Sequence, residues 1–368
     1  MDTIREIILS GTAYERGWQH GEALRTEIND FLNDSCARIN LIRELPLEAG
    51  LMSSLIGQHA TVIEQELPEI AEELKGLAAG ADISYEHAVL LQVRVELMAY
   101  NERDILEGDC STLAFKRDDH TIITGQTIDL PGNMASLGCI FRILPENEDD
   151  PEILMYGFAG LLGYMGMNST GLSVNINMVV SDDWHPGVSP YLLVRHMLTL
   201  RSTDECLDAL EKIKRSSSRS FLLSDKNGLV NAECTGNEVR TNAGDLLFHT
   251  NHYLDEELKK KDRIHFLFKN SSIKRLALLQ KLLPANTEDI TPAMLFDIFS
   301  DHSLYPVGIC AHSEGNIRRS ETVGAVVMEP AKFVLHARKG NTCVAITHTF
   351  KLTNQHIVTR RHYSRVTK

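Results

Sequence analysis

The chain has no uninterrupted apolar run of the roughly 18 to 20 residues that a membrane-spanning helix needs. Its start, Met1-Asp2-Thr3-Ile4-Arg5-Glu6, lacks the order of a secretory signal. The expectation is a cytoplasmic protein with no membrane partner. Basic residues are outnumbered, 37 Lys and Arg against 50 Asp and Glu, for a formal net charge of -13. That balance opposes attraction to phosphate backbones, so nucleic acid is set aside as a partner. No Cys-x-x-Cys pair occurs among the seven cysteines at 36, 110, 139, 206, 234, 310 and 343. This excludes a thioredoxin-type redox centre and a zinc ribbon by local spacing. An odd number of scattered cysteines in a chain too large to need covalent staples reads as reduced thiols. A cysteine with a chemical role here acts alone.

Three common catalytic designs also lack their signatures, because there is no GxxxxGK[ST] phosphate loop, no HExxH helix and no GxSxG elbow. Gly157, Gly160, Gly163 and Gly166 recur every three residues, which is not GxGxxG and reads as a bend or tight strand packing. His249 and His252 flank Asn251, and His302 and His312 lie near Cys310, but these spacings match no strong zinc pattern. Ordinary hydrogen-bonded histidines, no metal and no cofactor are expected.

What is present is the composition of a globular protein, 368 residues with 43% hydrophobic and 24% charged side chains, enough for a sizeable core in one large domain or two. From about Tyr14 to Ala99 apolar residues recur at three and four positions, notably over Phe31 to Leu45 and Ile63 to Leu77, with Pro68 as a break or restart. Gly17 and Gly21 share one helical face and let another backbone approach closely. Ser84 provides a cap before Ala88 to Leu97. After Gly108 the texture changes. Cys110 to Phe115 and His120 to Leu130 are β-type runs joined by the turn-like Lys116-Arg117-Asp118-Asp119, a hairpin signal. Further strands fit Ile153 to Phe158, Gly171 to Val180, Ser220 to Leu223, Leu229 to Cys234, Thr322 to Met328 and Phe333 to Ala337. Helical text covers Tyr191 to Leu200 with Asp204 to Ile213, His265 to Leu283 and Thr291 to Phe299. Two stacked sheets flanked by helices suit this order better than an alternating βαβ protein.

Cys110 stands where helical text gives way to strand text, in Glu107-Gly108-Asp109-Cys110-Ser111-Thr112-Leu113-Ala114-Phe115. A single cysteine is more often a small buried hydrophobe than a nucleophile, so a chemical role needs independent support. Gly125-Gln126-Thr127-Ile128-Asp129-Leu130, Gly166 through Asn177, His249-Thr250-Asn251-His252-Tyr253 and Asp301 through Cys310 follow in order. Together these blocks resemble the acyl-coenzyme A:6-aminopenicillanic acid acyltransferase family of N-terminal-nucleophile hydrolases. The matching motifs are G-[QR]-N-x-D with Thr127 at the Asn position, G-x-N-x-x-G-L-x-x-x-x-N, T-N-H, and D-H-x-x-x-P-x-x-I-C. Gly11 to Glu27 is similar to the family's opening helix, and Thr322 to Cys343 to its closing strand pair.

The resemblance implies an α+β fold, a four-layer αββα sandwich spanning 110–368, preceded by a helical segment at 1–109. It implies self-cleavage between Asp109 and Cys110, where the family usually has Gly and this chain has Asp109. It further implies catalytic roles for Cys110, Asp129 and Asn251, the last as an oxyanion donor. Thr127, Asn175 and Asn177 become supporting or substrate-binding residues, and the late family arginine is Arg318 or Arg319.

The chemistry follows from the residue types. A thiol near pKa 8.5 is only about a few per cent ionised at neutral pH and needs a base, and a freed α-amine with a reference pKa of about 7.7 to 8.0 sits on the same residue. Asp129 would orient that amine. The expected reaction is hydrolysis of a small N-acyl amide through an acyl-Cys110, with acyl transfer to an amine as an alternative on the same intermediate. An uncleaved, non-catalytic ligand-binding protein is the alternative from another class. The expected partners are the small acyl or amide substrate, the chain's own N-terminal fragment, and a second copy in a homo-oligomer.

Overall fold

Residues 3–43, 45–100, 110–305, 308–316 and 319–353 are described by the computed structural model. After a short strand β1 (Glu6–Leu9) come five helices: α1 (Ala13–Ala23), α2 (Arg25–Ile42), α3 (Ala49–Glu66), α4 (Pro68–Ala81) and α5 (Tyr85–Ala99). Their boundaries have local causes. Thr12 and Glu15 form a reciprocal capping box at α1. Pro68, with no N–H to give, opens α4 just after α3 ends, so the expected break is a restart. Ser84 accepts from the His87 N–H at 3.1 Å and starts α5.

The remaining chain runs β2 (Thr112–Lys116), β3 (Ile122–Pro131), α6 (Met134–Leu137), β4 (Gly138–Ile143), β5 (Ile153–Phe158), β6 (Met165–Asn168) and β7 (Ser173–Asn177). Then follow α7 (Pro190–Met197), α8 (Thr203–Lys212), β8 (Arg219–Asp225), β9 (Gly228–Cys234), β10 (Val239–Ala243) and β11 (Leu246–His249). It closes with α9 (Phe266–Leu282), α10 (Pro292–Ile298), β12 (Ser320–Glu329), β13 (Val334–Lys339) and β14 (His348–Lys351).

Two sheets form. One has the order β1-β4-β5-β6-β7-β8-β9-β10, the other β11-β2-β3-β12-β13-β14. Named neighbours are antiparallel except β1 with β4, which are parallel. The first segment thus contributes a strand to the larger sheet besides its helices.

Strand alternation builds the layers. Leu113 and Phe115 of β2 point outward and pack with Leu279 of α9 and Phe296 of α10. Ala114 between them points inward and packs with Leu222 and Leu229 of the other sheet. α7 and α8 lie against β7 and β8 on the opposite outer face, sharing one core with α2 to α5. The result is the expected αββα sandwich. No helix among the described residues is long and apolar enough to cross a membrane.

Among the helices, α1 and α4 touch backbone to backbone. A Cβ placed on Gly17 would stand 1.9 Å from the Glu73 carbonyl oxygen, and one on Gly76 would stand 2.0 Å from that of Tyr14. The four-residue glycine spacing seen in the sequence therefore has a close-packing cause. In the glycine run, Gly160 bends the chain at φ +85° and Gly163 lies against α7.

Candidate active site

Cys110 sits just before β2, and the parity that turns Ala114 inward turns Thr112 and Cys110 inward as well. It is buried, at 3% exposure. Register delivers its neighbours. β11 pairs with β2 so that His249 stands opposite Thr112; carried two residues on, the same antiparallel register sets Asn251 opposite Cys110. β3 pairs on the other side with Gln126 opposite Thr112, and the Thr127 N–H continues that ladder to the Ser111 carbonyl at 2.9 Å. This brings Ile128 level with Cys110 and Asp129 one residue beyond.

The contacts are specific. The Cys110 N–H donates to Asn251 Oδ1 at 2.8 Å. The Cys110 carbonyl accepts from Asn177 Nδ2 at 3.2 Å and from Arg275 Nη1 at 2.8 Å. Arg275 Nη2 also donates to Asn251 Oδ1, at 2.9 Å, and Nη1 to Ser111 Oγ, at 2.9 Å. The Asn251 amide nitrogen is engaged elsewhere, donating to the Met178 carbonyl at 3.0 Å. Asn251 therefore presents an acceptor to Cys110, whereas the sequence reading gave it a donor's part. Two donors converge on Oδ1, and that fixes the amide's orientation.

The other expected residues fall as follows. Thr127 is buried, and its Oγ1 accepts from the Ser111 N–H at 3.1 Å, which ties the chain just after Cys110. Asn177 accepts from Thr112 Oγ1 at 2.7 Å while it holds the Cys110 carbonyl. Asn175, two residues earlier on the same face of β7, is fully buried with neither side-chain polar atom hydrogen-bonded among the described residues. Asp129 is fully buried, and its Oδ1 accepts from Thr322 Oγ1 at 2.6 Å. Arg319 is not gathered with these; it is half exposed and pairs with Glu314 at 3.6 Å. Asp109 and Arg318 lie outside the described residues.

Sequence reasoning missed Arg275, the cation that grips both Cys110 and Asn251 from α9. Its helix reads as ordinary amphipathic text, and only the docking of α9 beside β11 reveals the contact. It also missed Tyr164. Burial, then the neighbouring Cys110, pushes the Tyr164 hydroxyl well above its ordinary pKa, so it stays a neutral O–H. Tyr164, Cys110, Tyr191 and Arg219 share a cavity of about 20 Å³ with apolar walls. That is room for about one water. A larger cleft of about 420 Å³ lies alongside, between α3, α5 and the loop after β7, with His59, Glu96, Val180, Trp184 and Ser216 on its walls. Arg219 stands over the Trp184 ring at 5.9 Å, between the two spaces.

The histidines divide into two kinds. His249 bonds Glu233 at 2.8 Å; burial pushes the Glu233 carboxyl up, but the His249 hydrogen bond and two backbone N–H groups outweigh it and hold the carboxyl below its usual range. His252 accepts or donates at Ser272 Oγ, 2.7 Å away. These are hydrogen-bonded histidines, as expected. His302 and His312 are different, because they gather with Cys310 and Cys343 so that their donor atoms all lie within 4.8 Å of one another. The expectation of no metal rested on chain spacing, and Cys343, 31 residues beyond His312, was invisible to it.

With this geometry in hand, comparison with known proteins gives three results. The family model described as acyl-coenzyme A:6-aminopenicillanic acid acyl-transferase matches residues 116–343. The acyl-coenzyme A:6-aminopenicillanic-acid-acyltransferase 40 kDa form of Emericella nidulans is 25% identical over 320 residues, 85% of this chain and 87% of its own. Among solved structures, penicillin V acylase from Agrobacterium tumefaciens aligns at 12% identity and a TM-score of 0.45, over 66% of this chain and 86% of that one. A conjugated bile acid hydrolase from Clostridium perfringens aligns at 13% identity and a TM-score of 0.32, over 69% of this chain and all of that one. The family match covers well over half the sequence and takes in every strand from β3 to β13, so the chain belongs to the acyl-coenzyme A:6-aminopenicillanic acid acyltransferase family.

Proposed function

We propose that Cys110 is the nucleophile of a self-processing amidohydrolase that acts on a small N-acyl amide. The observation that carries the reading is the seat already built around the residue. Its N–H rests on the Asn251 carbonyl at 2.8 Å, and its own carbonyl is held by Arg275 and Asn177. A group that accepts from a peptide N–H also accepts from the α-amine which replaces it, so the base is born in position.

In the first step the Cys110 sulfur attacks the Asp109 carbonyl carbon. The C–N bond breaks, its nitrogen takes the thiol proton, and a thioester with a free α-amine results. Water then cleaves the thioester, leaving a carboxylate on Asp109 and the thiol restored. Mature Cys110 passes its proton to its α-amine as it attacks the substrate carbonyl; the amine product leaves with that proton, and water releases the acid. Asp129 orients the α-amine. Tyr164 O–H, and the second protons of Asn177 Nδ2 and Asn251 Nδ2, whose first protons go to the Cys110 and Met178 carbonyls, are the neutral donors available to the developing oxyanion. In the uncut chain the cavity at Cys110 is too small for a substrate, and cleavage opens it toward the larger cleft, whose volume is that of a small-ligand site. All seven cysteines are free thiols, which fits the reducing cytoplasm as the working compartment.

The name of the Emericella nidulans relative favours a second reading, acyl transfer to an amine instead of water, through the same acyl-cysteine. The test begins with intact mass. Scaled by residue number from 41.2 kDa, a cut after residue 109 of 368 gives pieces of about 12 and about 29 kDa. They should appear in the wild type and be absent from Cys110→Ala. A wild type that stays whole and shows no amidase activity would sink the reading and leave a ligand-binding protein in its place.

A further inference from the structure

We propose that His302, Cys310, His312 and Cys343 form a closed site for a divalent cation of the zinc class, which takes no part in the Cys110 chemistry itself. The four donors come from separate stretches: the turn after α10, the segment before β12, and the loop after β13. Their atoms converge. His302 Nε2 is 2.9 Å from His312 Nε2, and His312 Nε2 is 3.7 Å from Cys310 Sγ and 3.5 Å from Cys343 Sγ. A tetrahedral zinc centre, with Zn–N about 2.0 to 2.1 Å and Zn–S about 2.3 Å, has N···N edges of about 3.3 Å and N···S edges of about 3.6 Å. The two N···S separations from His312 already match, the N···N edge has to open by only a few tenths of an ångström, and the remaining donor pairs all lie within 4.8 Å.

Pairwise hydrogen bonds do not account for this cluster. An imidazole Nε2 has a single in-plane site, either one proton or one lone pair. Three heavy-atom donors or acceptors crowd around that of His312, so the arrangement points at a common centre rather than at any one partner. The donor set also selects the cation. Two thiolates and two imidazoles suit zinc, whereas magnesium and calcium prefer oxygen ligands, and no carboxylate belongs to the set. With all four positions filled by protein, no place remains for water, which makes the centre structural rather than catalytic. Binding releases one proton from each cysteine to solvent; the two thiolates then balance the dication, and both imidazoles ligate as neutral rings.

The arms are held by bonds that do not use the ligands. The Cys310 N–H donates to the Asp301 carbonyl at 3.2 Å, and the Thr322 N–H donates to the Ala311 carbonyl at 3.0 Å. Asn341 Nδ2 also donates to the Ala311 carbonyl, at 2.8 Å, and Thr342 Oγ1 donates to that of Phe299 at 2.5 Å. The site is therefore preorganised before a cation arrives. One arm reaches the catalytic region, because the Ala311 N–H donates to Thr322 Oγ1 at 2.8 Å and that hydroxyl donates to Asp129 Oδ1. A cation that fixes Cys310 and His312 on either side of Ala311 thereby fixes the support of Asp129.

The experiment uses the full chain, untagged and purified under reducing conditions without chelator. Zinc is measured by elemental mass spectrometry and cobalt(II) is titrated into stripped protein. The expected result is stoichiometric zinc and a cobalt spectrum with thiolate charge-transfer bands, both lost in Cys343→Ser and His302→Gln. Neither side chain belongs to the buried core, so the variants should keep the wild-type circular dichroism. Each should bind zinc at least about 100-fold more weakly, beyond the about 10- to 100-fold that outer partners of a ligand contribute. Cys110→Ala should hold zinc like the wild type, which separates this inference from the amidase reading. It is overturned if Cys343→Ser retains zinc unchanged, if cobalt gives no thiolate bands, or if freshly isolated protein carries a Cys310–Cys343 disulfide instead.

Discussion

Arg275 carries a full positive charge at 1% exposure, and its guanidinium spans the Cys110 carbonyl, Ser111 Oγ and Asn251 Oδ1. A planar fork reaches three acceptors in fixed directions, which the point charge of a lysine does not reproduce. Arg275→Gln removes the charge and at least one of these bonds. Self-cleavage is expected to slow by about 10²- to 10³-fold, the scale of losing one preorganised donor, with Arg275→Lys falling between. The appearance of the two fragments on a gel over time measures it, and a half-time equal to wild type at equal thermal stability would discard the role. The resemblance pointed to Arg318 or Arg319, of which Arg319 pairs with Glu314 and Arg318 lies outside the described residues. Cys110, Asn251, Asn177 and Thr127 were legible since strand register ties them to short motifs. Arg275 was not, because a helix docks its residues by a face and not by a motif.

At the level of elements, long helices and most central strands were readable, while interior β4 and most of the short strands were not. β10 is a polar stretch, Val-Arg-Thr-Asn-Ala, with exposed side chains along most of its length; nothing in its pattern distinguishes it from a loop. β6 is four residues with a glycine in it, held between neighbours rather than by propensity. The contact of α1 with α4 gives the opposite lesson, since glycine spacing alone announced a close approach. Gly76→Ala should raise intrinsic helix propensity by up to about 1 kcal/mol. The new methyl meets the Tyr14 carbonyl, and backbone does not yield as a side-chain tip does. The net effect expected is a loss of about 1 to 3 kcal/mol, read as a lower urea midpoint. A variant as stable as wild type would show that the two helices part without cost.

Across the described residues, burial lowers the imidazoles of His20, His59, His196 and His252, and these shape how stability responds to acid. Burial holds His20 down to about 3, where its Nε2 accepts the Gly160 N–H at 3.0 Å. Burial, followed by the nearby His249, holds His252 down to about 4. In the unfolded chain both titrate near 6.5. Between those values the unfolded state binds more protons than the folded one, so stability is complete above about pH 6.5 and falls as pH drops below it. The urea midpoint should decline from pH 7.5 to about 5.5, a window above the carboxylates, and His20→Gln should flatten part of that slope. An identical slope in the variant would remove His20 from the account.

The pairing of β1 with β4 reaches beyond packing. Four residues of the first segment are zipped by backbone hydrogen bonds to β4 of the larger sheet, and Gln92 of α5 bonds the Gly160 carbonyl and the Leu162 N–H. Severing the backbone ahead of Cys110 would leave both pieces in place as partners in a permanent heterodimer. A gene trimmed to begin at that cysteine would make a body whose β4 margin lies bare, an invitation for other copies to adhere. On the proposed cut the leader would become a subunit, and scission would alter reactivity while the architecture stays whole.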